Sequence, residues 1–125
     1  MTEPGYSERF AGLPRRALPG GLTVVQASTG KARRRGLARL DALPPDHALA
    51  IPWCPAVHTF GMRFSLDLIW LARDGSTVRV DRDVAPRRMR ICVRARSVVE
   101  TAAGQADAFL SGAPGALSFQ NARPG

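Results

Sequence analysis

The stretch Val57-His-Thr-Phe-Gly-Met-Arg-Phe-Ser-Leu-Asp-Leu-Ile-Trp-Leu-Ala72 carries the clearest structural pattern in this chain. Every second position from 60 to 70 is apolar, which is the period of a β-strand with one buried face. The intervening positions are mixed and become apolar only at Ile69 and Leu71. We therefore predict that residues 57–72 form one long core strand, or two strands joined at a kink. The residues of its apolar face are Phe60, Met62, Phe64, Leu66, Leu68 and Trp70.

The flanking sequence adds further strand, turn and helix signals. Asp74-Gly75 between two strand signals predicts a hairpin. A helix is predicted over residues 30–40, capped by Ser28 or Thr29, and a single helical turn within 104–110. β-branched or alternating residues predict short strands at 22–27, 48–51, 77–81, 91–93, 97–101 and 116–119.

The connections between these strands are mostly too short for the crossovers that parallel strands need. We therefore expect a mainly β fold of the β-rich α+β type. It would be a small antiparallel barrel or sandwich of six or seven short strands with one or two short helices. A chain of 125 residues suits one domain. We expect an irregular N-terminal arm over 1–21, rich in Pro and Gly, the domain over 22–119, and a tail over 120–125.

The charge is strongly basic, at +8, and all but one of the 18 basic residues are arginine. Such a balance raises the expectation of phosphate-bearing or acidic partners. No aromatic residues interleave with the arginine clusters at 31–39 and 87–96, so base stacking is unsupported. Nucleic acid is therefore a weaker expectation than a solvated basic face.

Two cysteines, 38 positions apart, do not form a disulfide framework. The first residues lack the pattern of a signal peptide, and no run of about 18 apolar residues exists. We expect a cytoplasmic protein with reduced thiols and no membrane partner. Its oligomeric state is not predicted.

Cys54 and His58 form a C-x3-H pair that resembles half of a metal site. The neighbouring prolines exclude a helix, and four residues of a strand span roughly 13 Å, too far to share one zinc ion. Only a sharp bend at Pro55 would bring the pair together. We predict no metal and no cofactor, with Cys54 and Cys92 as small apolar fillers.

The candidate site residues lie on the mixed face of the central stretch. His58 is a suitable general acid or base near neutral pH. Asp67 stands in an otherwise apolar strand, so its carboxylate must be paired or hydrogen-bonded. Two roles are open for it: an anchor for loop amides or an arginine, or a group that faces a ligand. Arg33 and Arg87 are plausible cationic neighbours from other segments.

These residues fall into an order that resembles a known family. The order runs from Ala27 through Arg33-x-x-Gly36-Leu37 and Ala48-Leu-Ala-Ile51 to the block His58-Thr-Phe-Gly-Met-x-Phe-x-Leu-Asp67, which is the most specific part. It continues with Asp74-Gly75, Pro86-Arg87 and Val98-Val-Glu-x-Ala-Ala-Gly104. This resembles the prokaryotic family known as domain of unknown function 192, over about residues 22–119. The resemblance implies one small β-rich domain with a barrel-like sheet and short helices. It implies no activity and no catalytic residue. Ser65 stands where the family usually has proline.

Three functions agree with this sequence, and whether the protein is an enzyme stays open. The first is a binding module whose shallow pocket takes an anionic or hydroxyl-rich small molecule. The second is a hydrolase-like or other acid–base enzyme that uses His58 and Asp67. The third is an arginine-mediated binder of nucleic acid or of an acidic partner. The residues expected to line the pocket are His58, Thr59, Met62, Asp67, Arg33 and Arg87.

Overall fold

The computed structural model describes residues 5–111 and Leu117. Within this part of the chain there are eight strands and three short helices. The helices are α1 (Tyr6–Arg9), α2 (Gly30–Arg35) and α3 (Ala106–Leu110). The strands are β1 (Arg15–Leu18), β2 (Leu22–Gln26), β3 (His47–Pro52), β4 (Ala56–His58), β5 (Leu66–Leu71), β6 (Thr77–Val84), β7 (Met89–Ile91) and β8 (Ser97–Ala102).

The described strands form two sheets. Six lie in the order β1-β2-β3-β8-β5-β6, and β4 pairs with β7 in a small second sheet. Among the described strands only β2 and β3 pair in parallel, and α2 lies in the connection between them. The large sheet is open, with β1 and β6 at its edges, so the strands of the described residues do not form a closed barrel. The predicted mainly β fold is confirmed in its sandwich-like form, and the barrel alternative is wrong.

Both faces of the large sheet are buried, which explains why all six residues of β5 are buried. Side chains alternate between the faces along each strand. Leu66, Leu68 and Trp70 belong to one apolar cluster, and Ile69 and Leu71 belong to another. We call these the first and the second face. Phe109 of α3 packs on the second face, so the mixed side of the predicted strand is apolar where that helix covers it.

The stretch 57–72 is two strands in two different sheets. β4 ends at His58, and β5 begins at Leu66. The intervening segment turns at Gly61, whose φ of +82° suits glycine, and the amide of Met62 donates to the carbonyl of Thr59. The alternation of a strand stops at this turn. Phe60, which the alternation predicts to be in the core, is therefore 55% exposed.

The N-terminal segment differs from the predicted irregular arm. β1 pairs antiparallel with β2 through a hairpin at Gly20-Gly21, where both glycines have positive φ. Tyr6 and Phe10 are buried in the cluster of the first face, and the Tyr6 hydroxyl donates to the carbonyl of Ala48. These apolar contacts stabilise an ordered structure in a segment whose proline content alone predicts an irregular one.

Helix α2 begins as predicted and ends early. The Oγ1 of Thr29 accepts a hydrogen bond from the amide of Ala32, so Thr29 is the N-cap. The helix stops at Gly36, whose φ is +50°. The predicted strand at 116–119 and the tail at 120–125 lie outside the described residues, apart from the buried Leu117. No helix in the described ranges is long and apolar enough to cross a membrane.

Candidate functional site

A cavity of about 410 Å³ opens on the first face of the large sheet. One wall is the end of α2 with the following turn, and another is the segment from Cys54 to Met62. Strand β8 contributes Glu100. Three of the predicted site residues meet here, namely Arg33, His58 and Met62, whereas Thr59, Asp67 and Arg87 do not line this cavity. The other lining residues include Arg34, Arg35, Gly36, Leu37, Ile51, Val57 and Phe60.

Glu100 rises from the middle of the apolar face. Its neighbours across the sheet are Leu49 of β3 and Leu68 of β5, both fully buried. Glu100 itself is 4% exposed, and no described residue donates a hydrogen bond to its carboxyl group. Burial raises the pKa of Glu100 from 4.5 to about 7. A carboxyl group in this position can therefore give or take a proton near neutral pH.

Arg33 supplies positive charge to the same cavity. It projects from α2, is half-buried, and its Nη1 atom is buried without an acceptor among the described residues. The described residues show no ion pair between Arg33 and Glu100, although both line the cavity. A buried donor without an acceptor, such as the Nη1 of Arg33, is costly for the folded protein.

Cys54 and His58 line this cavity together because the chain bends sharply before and between them. Trp53 has a φ of +56°, and Pro55 follows Cys54. The Cys54 thiol donates to the carbonyl of Ala56 at 3.0 Å, and burial raises the pKa of Cys54. The described residues contain no cluster of three or more His, Cys, Asp or Glu that could hold a metal ion.

Asp67 lies on the opposite side of the large sheet. Its sheet neighbour on β8 is Thr101, whereas the neighbour of Leu68 is Glu100, so successive side chains of β5 point away from each other. The Asp67 carboxylate accepts hydrogen bonds from the amides of Asp83 (2.9 Å), Gly104 (3.0 Å) and Ala106 (3.1 Å).

These contacts give Asp67 the anchoring role that was one of its two predicted alternatives. The carboxylate ties β5 to β6 and to the start of α3. The intervening sheet separates Asp67 from His58, which lines the cavity on the first face. The prediction that His58 and Asp67 form an acid–base pair is therefore wrong. Two groups on opposite faces of a sheet cannot exchange a proton directly.

Thr59 and Arg87 also differ from their predicted positions. Thr59 is 1% exposed, and its Oγ1 donates to the carbonyl of Ala85 at 2.7 Å and accepts from the amide of Arg88 at 2.8 Å. Thr59 therefore joins two turns rather than lining the cavity. Arg87 is exposed with a φ of +65° in the turn that Thr59 holds.

Replacing the buried hydroxyl tests this role of Thr59. Thr59→Val keeps the side-chain shape and leaves the Arg88 amide and the Ala85 carbonyl without their partner. We expect the free energy of unfolding to fall by about 1–3 kcal/mol, measured by urea denaturation. The control is Thr77→Val at an exposed strand position. Equal stability of the two variants would contradict the structural role of Thr59.

Glu100 was missed in the sequence, although a signal for it was present. It lies in Ser97-Val-Val-Glu-Thr101, where alternation places it on the same face as the core residue Val98. The same observation, an acid inside an apolar strand, singled out Asp67. What separates the two carboxylates is their partners. Asp67 receives three amide hydrogen bonds, and Glu100 receives none from the described residues.

Comparison with known families agrees with this fold. A family model described as "Uncharacterized ACR" matches residues 15–111, most of the chain. The chain belongs to the DUF192 family. This membership confirms the resemblance drawn from the sequence, and the family has no characterised activity. No curated protein matches the chain.

Two solved structures resemble this DUF192 protein. One is a protein from Sinorhizobium meliloti, described as a proposed transcription regulator, with 23% identity and a TM-score of 0.64. That match covers 81% of this chain and 86% of the other. The second is a protein of unknown function from Novosphingobium aromaticivorans, with 14% identity and a TM-score of 0.62, covering 87% and 94% of the two chains. At these identities the likeness shows the fold alone.

Proposed function

We propose that this DUF192 protein is a cytoplasmic binding module for an anionic or hydroxyl-rich small molecule. The ligand occupies the cavity between the end of α2, the segment from Cys54 to Met62, and β8. Both cysteines are free, which agrees with a reducing compartment. The volume of about 410 Å³ falls within the usual range of small-molecule pockets.

The observation that supports this proposal is that an arginine donor and a carboxyl group line the same cavity without protein partners among the described residues. The Glu100 carboxyl group is 4% exposed and has no donor among the described residues, and the Nη1 of Arg33 is buried without an acceptor. A ligand that donates a hydrogen bond to Glu100 and accepts one from Arg33 satisfies both groups at once. Charge-assisted hydrogen bonds of this kind are about twice as strong as neutral ones.

The remaining lining residues fit a ligand with a polar end and an apolar part. Arg34 and Arg35 add positive charge at the end of α2, which favours an anionic group on that side. Phe60, Met62 and Leu37 offer apolar contact. A hydroxy acid, a sugar acid or a sugar phosphate combines an acidic group with hydroxyl donors in this way.

A thermal-shift screen of the purified chain tests the proposal. The probes are hydroxy acids, sugar acids, sugar phosphates and neutral polyols of similar size. A bound probe at 100 times its Kd stabilises the protein by about 2.7 kcal/mol, which raises Tm by several degrees. We expect Arg33→Gln to weaken a hit by at least about tenfold, since it removes a charged hydrogen bond.

The matched control for this screen is Arg73→Gln, an exposed arginine in the β5–β6 hairpin. It removes the same charge and is expected to leave the affinity of a hit unchanged. A screen in which no acidic or hydroxylated probe shifts Tm contradicts the proposed ligand class. A hit that survives Arg33→Gln undiminished places the ligand elsewhere.

A second candidate function is acid–base catalysis by Glu100 with His58. Burial raises the pKa of Glu100 to about 7, and His58 lines the same cavity. A carboxyl group with a pKa near the working pH is suited to proton transfer. This candidate replaces the pairing of His58 with Asp67. Turnover of a bound probe, lost in both Glu100→Gln and His58→Gln, would favour catalysis over binding alone.

A further inference from the structure

The large apolar side chains that are exposed within the described part of the chain lie on or beside the small second sheet. In that sheet Ala56 of β4 pairs with Ile91 of β7, and His58 pairs with Met89, and all four residues are exposed. Val57, between the two pairs, is buried in the core cluster. The exposed large apolar residues are Trp53, Phe60, Met89, Ile91 and Val93.

We call the outward side of this sheet the β4–β7 surface. It continues at both ends. The ring of Phe60 lies 5.9 Å from that of His58, and Val93, two residues after Ile91, is 84% exposed. Patches of exposed apolar side chains of this kind usually mark an interaction site. The surface consists of Ala56, His58, Phe60, Met89, Ile91 and Val93, of which the first three also line the edge of the cavity.

Positive charge surrounds this surface. The segment from Val84 to Arg96 contains five arginines and no acidic residue. Four of them are exposed, and the guanidinium of Arg96 lies 4.7 Å above the ring of Trp53. An anionic partner that also accepts apolar side chains therefore fits this surface best. The exposed arginines are Arg87, Arg88, Arg94 and Arg96.

We propose that the β4–β7 surface docks the protein on an anionic lipid surface. Lipid headgroups supply the negative charge, and the boundary with the acyl chains receives Met89, Ile91 and Val93. The rings of Phe60 and His58 could stack on the bases of a single strand, but the aliphatic side chains of Met89, Ile91 and Val93 gain little from stacking. A lipid surface accommodates these aliphatic side chains better than nucleic acid does. The expectation of no membrane partner rested on the lack of an apolar span, and docking of this kind needs none.

Co-sedimentation of the full chain with vesicles tests the proposal. One set of vesicles is phosphatidylcholine, and the other contains equal parts of phosphatidylcholine and phosphatidylglycerol. We expect binding to the mixed vesicles only, weakening as salt screens the arginines. Each arginine near an anionic surface strengthens binding by about fivefold, so Arg88→Gln with Arg94→Gln should weaken it by about 25-fold.

A second double variant separates apolar insertion from charge. Ile91→Ser with Val93→Ser keeps the net charge and should weaken vesicle binding by at least about tenfold. The matched control is Lys31→Gln with Arg73→Gln, which removes two exposed charges away from the surface. It should change binding by less than about threefold, because distant charges are screened. Unfolding curves check that each variant folds. If the Ile91/Val93 double variant does not fold, vesicle binding is measured with Val93→Ser alone.

Several results would overturn the proposal. One is no binding to the mixed vesicles. Another is that the Lys31/Arg73 control binds vesicles as weakly as the Arg88/Arg94 variant. A third is that the variant with serine at both Ile91 and Val93 binds vesicles as tightly as the wild type. Tighter binding to polyuridylate or polyglutamate that the serine variant leaves unchanged would assign the surface to nucleic acid or an acidic protein. Glu100→Gln changes the cavity and should bind vesicles as the wild type does. The proposal of a ligand in the cavity and the proposal of lipid binding can therefore fail independently.

Discussion

Asp67→Asn is expected to lower the free energy of unfolding by about 3–5 kcal/mol, the largest effect of any single substitution considered for this protein. The Asp67 carboxylate is 1% exposed and accepts three backbone hydrogen bonds. Asparagine has one acceptor oxygen, and its amide group would face an N–H donor. At least one of the amides of Asp83, Gly104 and Ala106 would lose its partner inside the protein.

Urea denaturation measures this loss, and hydrogen exchange locates it. We expect faster exchange at Gly104 and Ala106, where the carboxylate holds the start of α3. The control is Asp83→Asn, which changes an exposed side chain beside the same site and should cost less than about 0.5 kcal/mol. Asp83 has a positive φ, which asparagine adopts readily. If Asp67→Asn were as stable as this control, the carboxylate would not anchor the loop.

Glu100→Gln is expected to stabilise the protein at alkaline pH, by up to about 3 kcal/mol. Burial raises the pKa of Glu100 from 4.5 to about 7. Below pH 4.5 the carboxyl group is protonated in both folded and unfolded chains, and the two states do not differ. Between pH 4.5 and 7 the unfolded chain releases the proton while the folded chain keeps it, so stability falls as pH rises. Above pH 7 the loss is complete.

Glutamine resembles the protonated acid and does not ionise, so this pH-dependent loss disappears. The measurement is the difference in free energy of unfolding between variant and wild type at pH 5 and at pH 8. It should be small at pH 5 and grow toward about 3 kcal/mol at pH 8. Asp41→Asn, at an exposed carboxylate, should show no such growth. A constant difference for Glu100→Gln would mean that the pKa of Glu100 is the same in the folded and the unfolded chain, so that burial does not raise it.

Much of this fold could be predicted from local pattern. Alternation over Leu66 to Trp70, the Asp74-Gly75 hairpin and the Thr29 cap each depend on a few neighbouring residues, and the structure has all three. The division between β4 and β5 could not be predicted. The alternation continues through Phe60 and Met62, and only the tertiary contacts of the turn at Gly61 place Phe60 outside the core.

The candidate site was predicted in part. Arg33, His58 and Met62 meet at one cavity, although they come from different elements. Asp67 and Glu100 gave the same signal in the sequence, an acid within an apolar strand. Which of them faces a cavity depends on sheet register and on distant amides, such as those of Gly104 and Ala106. These are properties of the folded chain, and no local pattern contains them.

Strand β8 is the last strand of the described chain to leave the ribosome, yet it lies at the centre of the large sheet, between β3 and β5. Until it arrives, β3 and β5 each present an unpaired edge to the solvent or to other chains. We expect the domain to fold only after β8 has been synthesised, and chains that end before Ser97 to aggregate. Because β8 also carries Glu100, the cavity on the first face is incomplete until the sheet has closed around that strand.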